Sequence, residues 1–115
     1  MEIRENHNSN GELSREAEVI TLDEVLECID ALNPKLAAKI SGAIEQLGTG
    51  KTKSLLIKQL RGKIMELSVK QYRVIFCRAE TIIYIVDIFK KQSRKTPGNI
   101  IKKAEETYRK IQNLQ

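Results

Sequence analysis

The feature that most constrains this chain is a change of hydrophobic period along its length. Between residues 21 and 47 apolar side chains recur every three or four positions, and between 64 and 89 every second position. From 100 to 111 the helical spacing returns. A period near 3.6 marks a one-sided helix and a period of two marks a pleated strand. With only 115 residues to hold both, the chain reads as one α+β domain in which helices at either end cover a small sheet.

Leu22, Val25, Leu26, Ile29 and Leu32 form the first stripe, with Thr21 as N-cap and Glu24 completing a capping box. Asn33-Pro34 ends this helix and opens the next, whose inner face is Leu36, Ile40, Ala43, Ile44 and Leu47 and whose stop is Gly48. So short a connection predicts an antiparallel helical hairpin. Lys51 to Gln59 reads as a basic connector. Met65, Leu67 and Val69 then alternate, as do Tyr72, Val74 and Phe76, and residues 82–89 are apolar almost throughout. These are the strands of a three-strand antiparallel meander, the last of them covered on both faces. A short extra strand can form near Ala17 to Ile20. Thr96-Pro97 opens the final helix, with Thr96 as its cap and Ile100, Ile101, Ala104, Tyr108 and Ile111 along one face. The expected organisation is a flexible arm or short strand over 1–18 and a single domain over 19–115.

Composition removes several classes of function. No apolar run approaches the length of a membrane span, so no membrane partner is expected and a cytoplasmic setting is. Cys28 and Cys77 are too few for a disulfide framework or a cysteine-rich zinc site and are expected to be reduced and packed as small apolar residues. His7, the only histidine, lies in a polar stretch without ligand partners, which argues against a metal site and against Ser-His-Asp or Cys-His catalysis. Gly48-Thr-Gly-Lys-Thr52 has the tail of a phosphate loop, but position 45 is Glu where that motif needs Gly, and a helix precedes it where a strand should. Glu66 and Asp87 are the only strand acids, and nothing in the spacing makes them a pair.

Charge is the informative property. The net +5 divides into −6 over residues 1–50 and +11 over residues 51–115. Lys58, Arg61 and Lys63 lead into the sheet, Arg73 and Arg78 lie on its second strand, and Lys90, Lys91, Arg94 and Lys95 leave its third. A meander brings strand ends together, and a cluster of cations neutralises phosphates and steers a polyanion inward. Arg73 stands out because it interrupts an apolar strand between Tyr72 and Val74, where a cation needs a partner.

From residue 60 onward the chain resembles a known family. Leu60-Arg-Gly-Lys-Ile-Met-Glu-Leu, Tyr72-Arg-Val-Ile-Phe, Phe89-Lys-Lys and Lys95-Thr-Pro, followed by a helix carrying Ala104, occur in the order found in the phage-derived, HigB-like branch of the RelE/ParE toxin superfamily. The resemblance implies a RelE/ParE-like α+β fold and a toxin of a type II toxin–antitoxin module. It further implies a ribosome-dependent endoribonuclease (an mRNA interferase) that cuts mRNA without a metal or other cofactor. The implied partners are mRNA, the ribosome and a cognate antitoxin, usually a small helix-turn-helix protein. Carried over by position, Arg73, Lys90 and Lys91 handle phosphate, with Arg61, Lys63 and Arg94 beside the motifs. Relatives often carry Trp-Glu-Leu-Arg in the first strand, where this chain has Met65-Glu-Leu-Ser68.

RNA supplies its own nucleophile, the 2′-OH, so such an enzyme must orient it, take its proton and stabilise charge on the phosphoryl group. Arg73 suits a bidentate phosphate clamp. Lys90 or Lys91 would serve as acid or base, Glu66 is the next candidate base, and Tyr72 would stack on a base or donate a proton. Arg61, Lys63, Tyr72, Arg78, Arg94 and Lys95 complete the expected RNA-binding set. The alternatives are a ParE-like toxin that poisons DNA gyrase and a non-catalytic nucleic-acid-binding protein.

Overall fold

The computed structural model describes Leu13 and residues 15–114. Most of the expected N-terminal arm lies outside the described residues. The elements in order are β1 (Glu18–Thr21), α1 (Asp23–Asp30), α2 (Pro34–Thr49), β2 (Leu56–Arg61), β3 (Ile64–Val69), β4 (Tyr72–Ala79), β5 (Ile82–Lys90) and α3 (Gly98–Leu114). The sheet has five strands in the order β1-β5-β4-β3-β2. β2 to β5 form an antiparallel meander, and β1 pairs parallel to β5 along Glu18 to Thr21. The α+β class and the extra N-terminal strand therefore hold. The meander has four strands rather than three, because the expected basic connector contains β2.

Local chemistry accounts for most of the boundaries. Asn33 accepts a hydrogen bond from the Leu36 amide at 2.9 Å, and Pro34 occupies the first turn of α2. The cap expected at Thr21 belongs to β1 instead, and α1 begins after Leu22 without a side-chain cap. The stop of α2 is Gly50, at φ 79°, and not Gly48. The left-handed conformation there costs a residue without a Cβ very little. Gly48 has a different role. A Cβ at this position would stand 2.9 Å from Val19 Cγ2 and 3.1 Å from the Ala17 carbonyl oxygen. Its lack of a side chain lets the chain entering β1 lie against α2, where the Ala17 amide donates to the Gly48 carbonyl. In the Gly48–Thr52 segment, Gly50 and the Thr49 hydroxyl end the helix. The Thr49 hydroxyl donates to the Gln46 carbonyl and accepts from the Lys51 amide.

The sheet is buried on both faces, by different partners. On one face Met65, Leu67, Val74, Phe76, Ile83, Ile85 and Ile88 pack against Val25 and Ile29 of α1 and Ile40, Ile44 and Leu47 of α2. On the other Ile64, Ile75, Cys77, Ala79 and Val86 pack against Ala104 and Ile111 of α3. This explains the dense apolar run of β5, a central strand with no solvent side. The β4–β5 register shifts between Ile75 and Phe76, so that Ile75 faces Asp87 while Phe76 faces Ile85. Such a bulge reverses the alternation beyond it. It places Ile88 with the α1/α2 core and Phe89 on the α3 face.

The two thiols are not equivalent, contrary to the expectation that both are packed. Cys28 is exposed on α1, whereas Cys77 is buried, and burial pushes its thiol up to about 11. A neutral, enclosed thiol is a poor nucleophile. Ellman's reagent at pH 8 is expected to titrate one thiol in the folded protein and two after unfolding in guanidinium. A second fast-reacting thiol in the native state would contradict the sealed position of Cys77.

Candidate functional site

α3 covers only part of its face of the sheet. Beyond it, at the end where β3 finishes and β4 begins, lies a polar cleft of about 160 Å³ lined by Lys58, Glu66, Ser68, Arg73, Phe89, Lys91, Ser93, Arg94, Lys95 and Thr96. Strand register builds its floor. Ser68, Arg73 and Phe89 stand side by side across β3, β4 and β5, and Lys58 and Glu66 are partners across β2 and β3. The segment from Lys91 to Thr96, which links β5 to α3, supplies the wall. Five cationic side chains thus surround a single carboxylate.

Glu66 is that carboxylate, and it is only 5% exposed. A buried charge requires partners, and Glu66 has two, one on β4 and one in the segment before α3. The Thr96 hydroxyl donates to Oε2, and Arg73 Nε lies 3.9 Å from Oε1. At that separation carboxylate and guanidinium attract without a hydrogen bond. Arg73 is itself anchored, because one terminal nitrogen, Nη1, donates to the carbonyls of Tyr72 at 2.9 Å and Lys70 at 3.1 Å. Lys70, at φ 56°, turns the β3–β4 connection so that its carbonyl meets this nitrogen. The side chain of Arg73 is 14% exposed. The result is a held guanidinium, beside a carboxylate, at the base of a positive cleft. Such an arrangement is suited to binding an anion with a carboxylate beside it.

Of the residues expected from the sequence, the fold brings together Glu66, Arg73, Lys91, Arg94 and Lys95. Five others lie elsewhere. Arg61 and Lys63 flank the β2–β3 turn at the opposite end of β3, and Arg61 pairs with Glu105 of α3 at 3.1 Å. Tyr72 packs against the α1/α2 core, on the face away from Arg73. Lys90 pairs with Tyr72 and, by the alternation of β5, shares that face, which leaves Lys91 as the cleft lysine. Arg78 is 7% exposed near the β4–β5 turn, where Nε donates to the Glu80 carbonyl and Nη1 to the Arg15 carbonyl. These two bonds tie the β4–β5 turn to the chain before β1. Glu66 and Asp87 do not face each other, since Ile75 lies between them in register.

The cleft residues not expected as site residues are Lys58, Ser68, Phe89, Ser93 and Thr96. Lys58 and Phe89 were visible as parts of the basic constellation and of the Phe-Lys-Lys motif. Thr96 was expected to cap α3, but its hydroxyl is engaged with Glu66. Among the described residues, no group of three or more His, Cys, Asp or Glu is placed to hold a metal ion, and no helix is long and apolar enough to cross a membrane.

Solved structures share this architecture. A chain of the RelE–RelB complex from the archaeon Pyrococcus horikoshii OT3 superposes with a TM-score of 0.59 at 16% identity, covering 70% of this chain and 100% of that one. A chain of the RelB–RelE antitoxin–toxin complex from Methanococcus jannaschii does so with a TM-score of 0.54 at 13% identity, covering 62% and 88% respectively. At such identities the likeness is one of fold. No curated protein matches the sequence. The family described as Phage derived protein Gp49-like (DUF891) matches residues 27–109, which run from within α1 to the last turns of α3 and include every residue of the cleft. The chain belongs to the phage-derived Gp49-like family.

Proposed function

We propose that this protein is the toxin of a type II toxin–antitoxin pair and that its cleft cuts mRNA on the ribosome. The observation that carries the proposal is the cleft itself, one buried carboxylate and one anchored arginine within a ring of lysine and arginine. The Gp49-like family and the fold shared with the RelE–RelB complexes support the toxin reading and an antitoxin partner. Assignment to the HigB-like branch, and a cytoplasmic site of action, are part of the same proposal.

The chemistry follows from the geometry. A phosphodiester entering the cleft meets Arg73, whose Nη1 is already held by two carbonyls, so little order is lost when its remaining donors bind phosphate. Lys91, Arg94 and Lys95 compensate the charge that builds on the phosphoryl oxygens. Glu66 accepts the proton of the 2′-OH, which attacks phosphorus to form a 2′,3′-cyclic phosphate as the P–O5′ bond breaks. Lys91 or Lys58 returns a proton to the departing 5′ oxygen. Every atom that reacts in the proposed step belongs to the RNA or to these side chains.

The test is induction in a bacterial host followed by primer extension on translated messages. Discrete cuts within open reading frames, with growth arrest relieved by the neighbouring antitoxin gene, are expected. Intact messages with DNA breaks would instead identify a ParE-like gyrase poison, and intact nucleic acids of both kinds would leave a binding protein.

A further inference from the structure

We infer that Thr96 is a positioning residue that latches the cationic segment from Lys91 to Thr96 onto the sheet by way of Glu66. The inference rests on the nuclease reading for its catalytic arm, while its structural arm stands apart from that reading. Thr96 sits where a helix cap is expected, immediately before Pro97. The hydrogen bonds that open α3 run from the Ile100 and Ile101 amides to the Pro97 carbonyl, and the Thr96 hydroxyl goes to Glu66. The segment has few other anchors. Its start is fixed by the Lys91 amide donating to the Gln71 carbonyl at 2.7 Å, and the Ser93 hydroxyl donates to the Lys95 carbonyl within the segment. Among the hydrogen bonds of the described residues, the one from Thr96 is the only one that joins Gln92–Thr96 to the sheet. Arg94 and Lys95 are exposed and are held over the cleft largely through it.

One bond therefore serves two purposes. It fixes Oε2 of the carboxylate, which leaves Oε1 turned toward Arg73, and it keeps the cations on the cleft that this carboxylate lines. A hydroxyl that is present but not bonded here would leave a buried carboxylate short of a partner and the segment loose at the same time.

The experiment compares Thr96→Val, which keeps the shape and removes the donor, with Thr96→Ser, which keeps the donor. Limited trypsin digestion of the full chain reads the latch through cutting after Arg94 and Lys95, and single-turnover and steady-state cleavage of a translated message read catalysis. Thr96→Val is expected to speed tryptic cutting by about fivefold or more, as expected for a locally opened segment. Loss of a hydrogen bond to a charged group predicts a kcat lower by about 10- to 100-fold, with KM within about threefold. Thr96→Ser is expected to stay near wild type in both. Glu66→Ala opens the same latch from the other side, so it should accelerate trypsin as Thr96→Val does, and the double variant should add nothing further. Wild-type digestion or wild-type kcat in Thr96→Val overturns the inference, as does a Thr96→Ser variant as impaired as Thr96→Val. Absence of cleavage by the wild-type protein would defeat the nuclease reading alone, because the tryptic comparison still decides whether the latch exists.

Discussion

Replacing Arg73 with alanine is expected to lower mRNA cleavage by about 10²–10³-fold, the usual cost of removing one preorganised donor from a charge-stabilising site. The expectation follows from how Arg73 is held. Its Nη1 is pinned by the Lys70 and Tyr72 carbonyls and its Nε faces Glu66, so its position does not depend on substrate. Arg73→Lys should recover only a small part of the loss, since an ammonium can neither reach both carbonyls nor present a planar fork. The measurement is the rate of message cleavage by purified variants, with circular dichroism to confirm folding. Activity of Arg73→Ala within threefold of wild type would remove this residue from the mechanism.

The largest effect on stability is expected at Phe76. It lies at 0% exposure on the central strand β4, opposite Met65 on β3 and Ile85 on β5, and faces the helices α1 and α2. Removing a buried phenyl ring costs about 3–5 kcal/mol through lost transfer energy and the cavity left behind. Against a total stability of about 5–15 kcal/mol, this is enough to leave Phe76→Ala partly unfolded at 37 °C. The expected fall in Tm is roughly 10–20 °C. Leu56→Ala is the contrast, because Leu56 is 71% exposed on the edge strand β2 and should change stability by less than about 0.5 kcal/mol. Equal losses at the two positions would mean that the core is not where the burial pattern puts it.

The sequence made the helices and the last three strands legible because each has one strong period. The strand β2 escaped because Lys58, Gln59 and Arg61 break up its apolar residues. As an edge strand it also exposes much of its length, so its burial pattern carries little alternation. Thr21 looked like a cap because Glu24 stands three residues on, yet pairing with β5 claimed it for the sheet. In the candidate site, Arg73 is legible as a cation in an apolar strand, and Glu66 as one of two strand acids. The choice between Lys90 and Lys91 was not legible, because it depends on the bulge opposite Ile75 and Phe76 that reverses the phase of β5. Tyr72 enters the expected set as a stacking or proton-donating side chain, and Arg78 as part of the basic cluster. One-residue alternation puts Tyr72 on the other face, and Arg78 lies at the far end of its strand. In the sequence Thr96 is a local helix signal, because its partner, Glu66, lies 30 residues away.

The proposed reaction uses the substrate's own 2′-OH as nucleophile. Its most direct test is to map the ends produced when the purified protein acts on a message in translating ribosomes. A 2′,3′-cyclic phosphate on one fragment and a 5′-hydroxyl on the other are expected, with no cut where the nucleotide at that position is 2′-deoxy. Cleavage that leaves 5′-phosphate ends, or that proceeds equally well at the 2′-deoxy position, would contradict it.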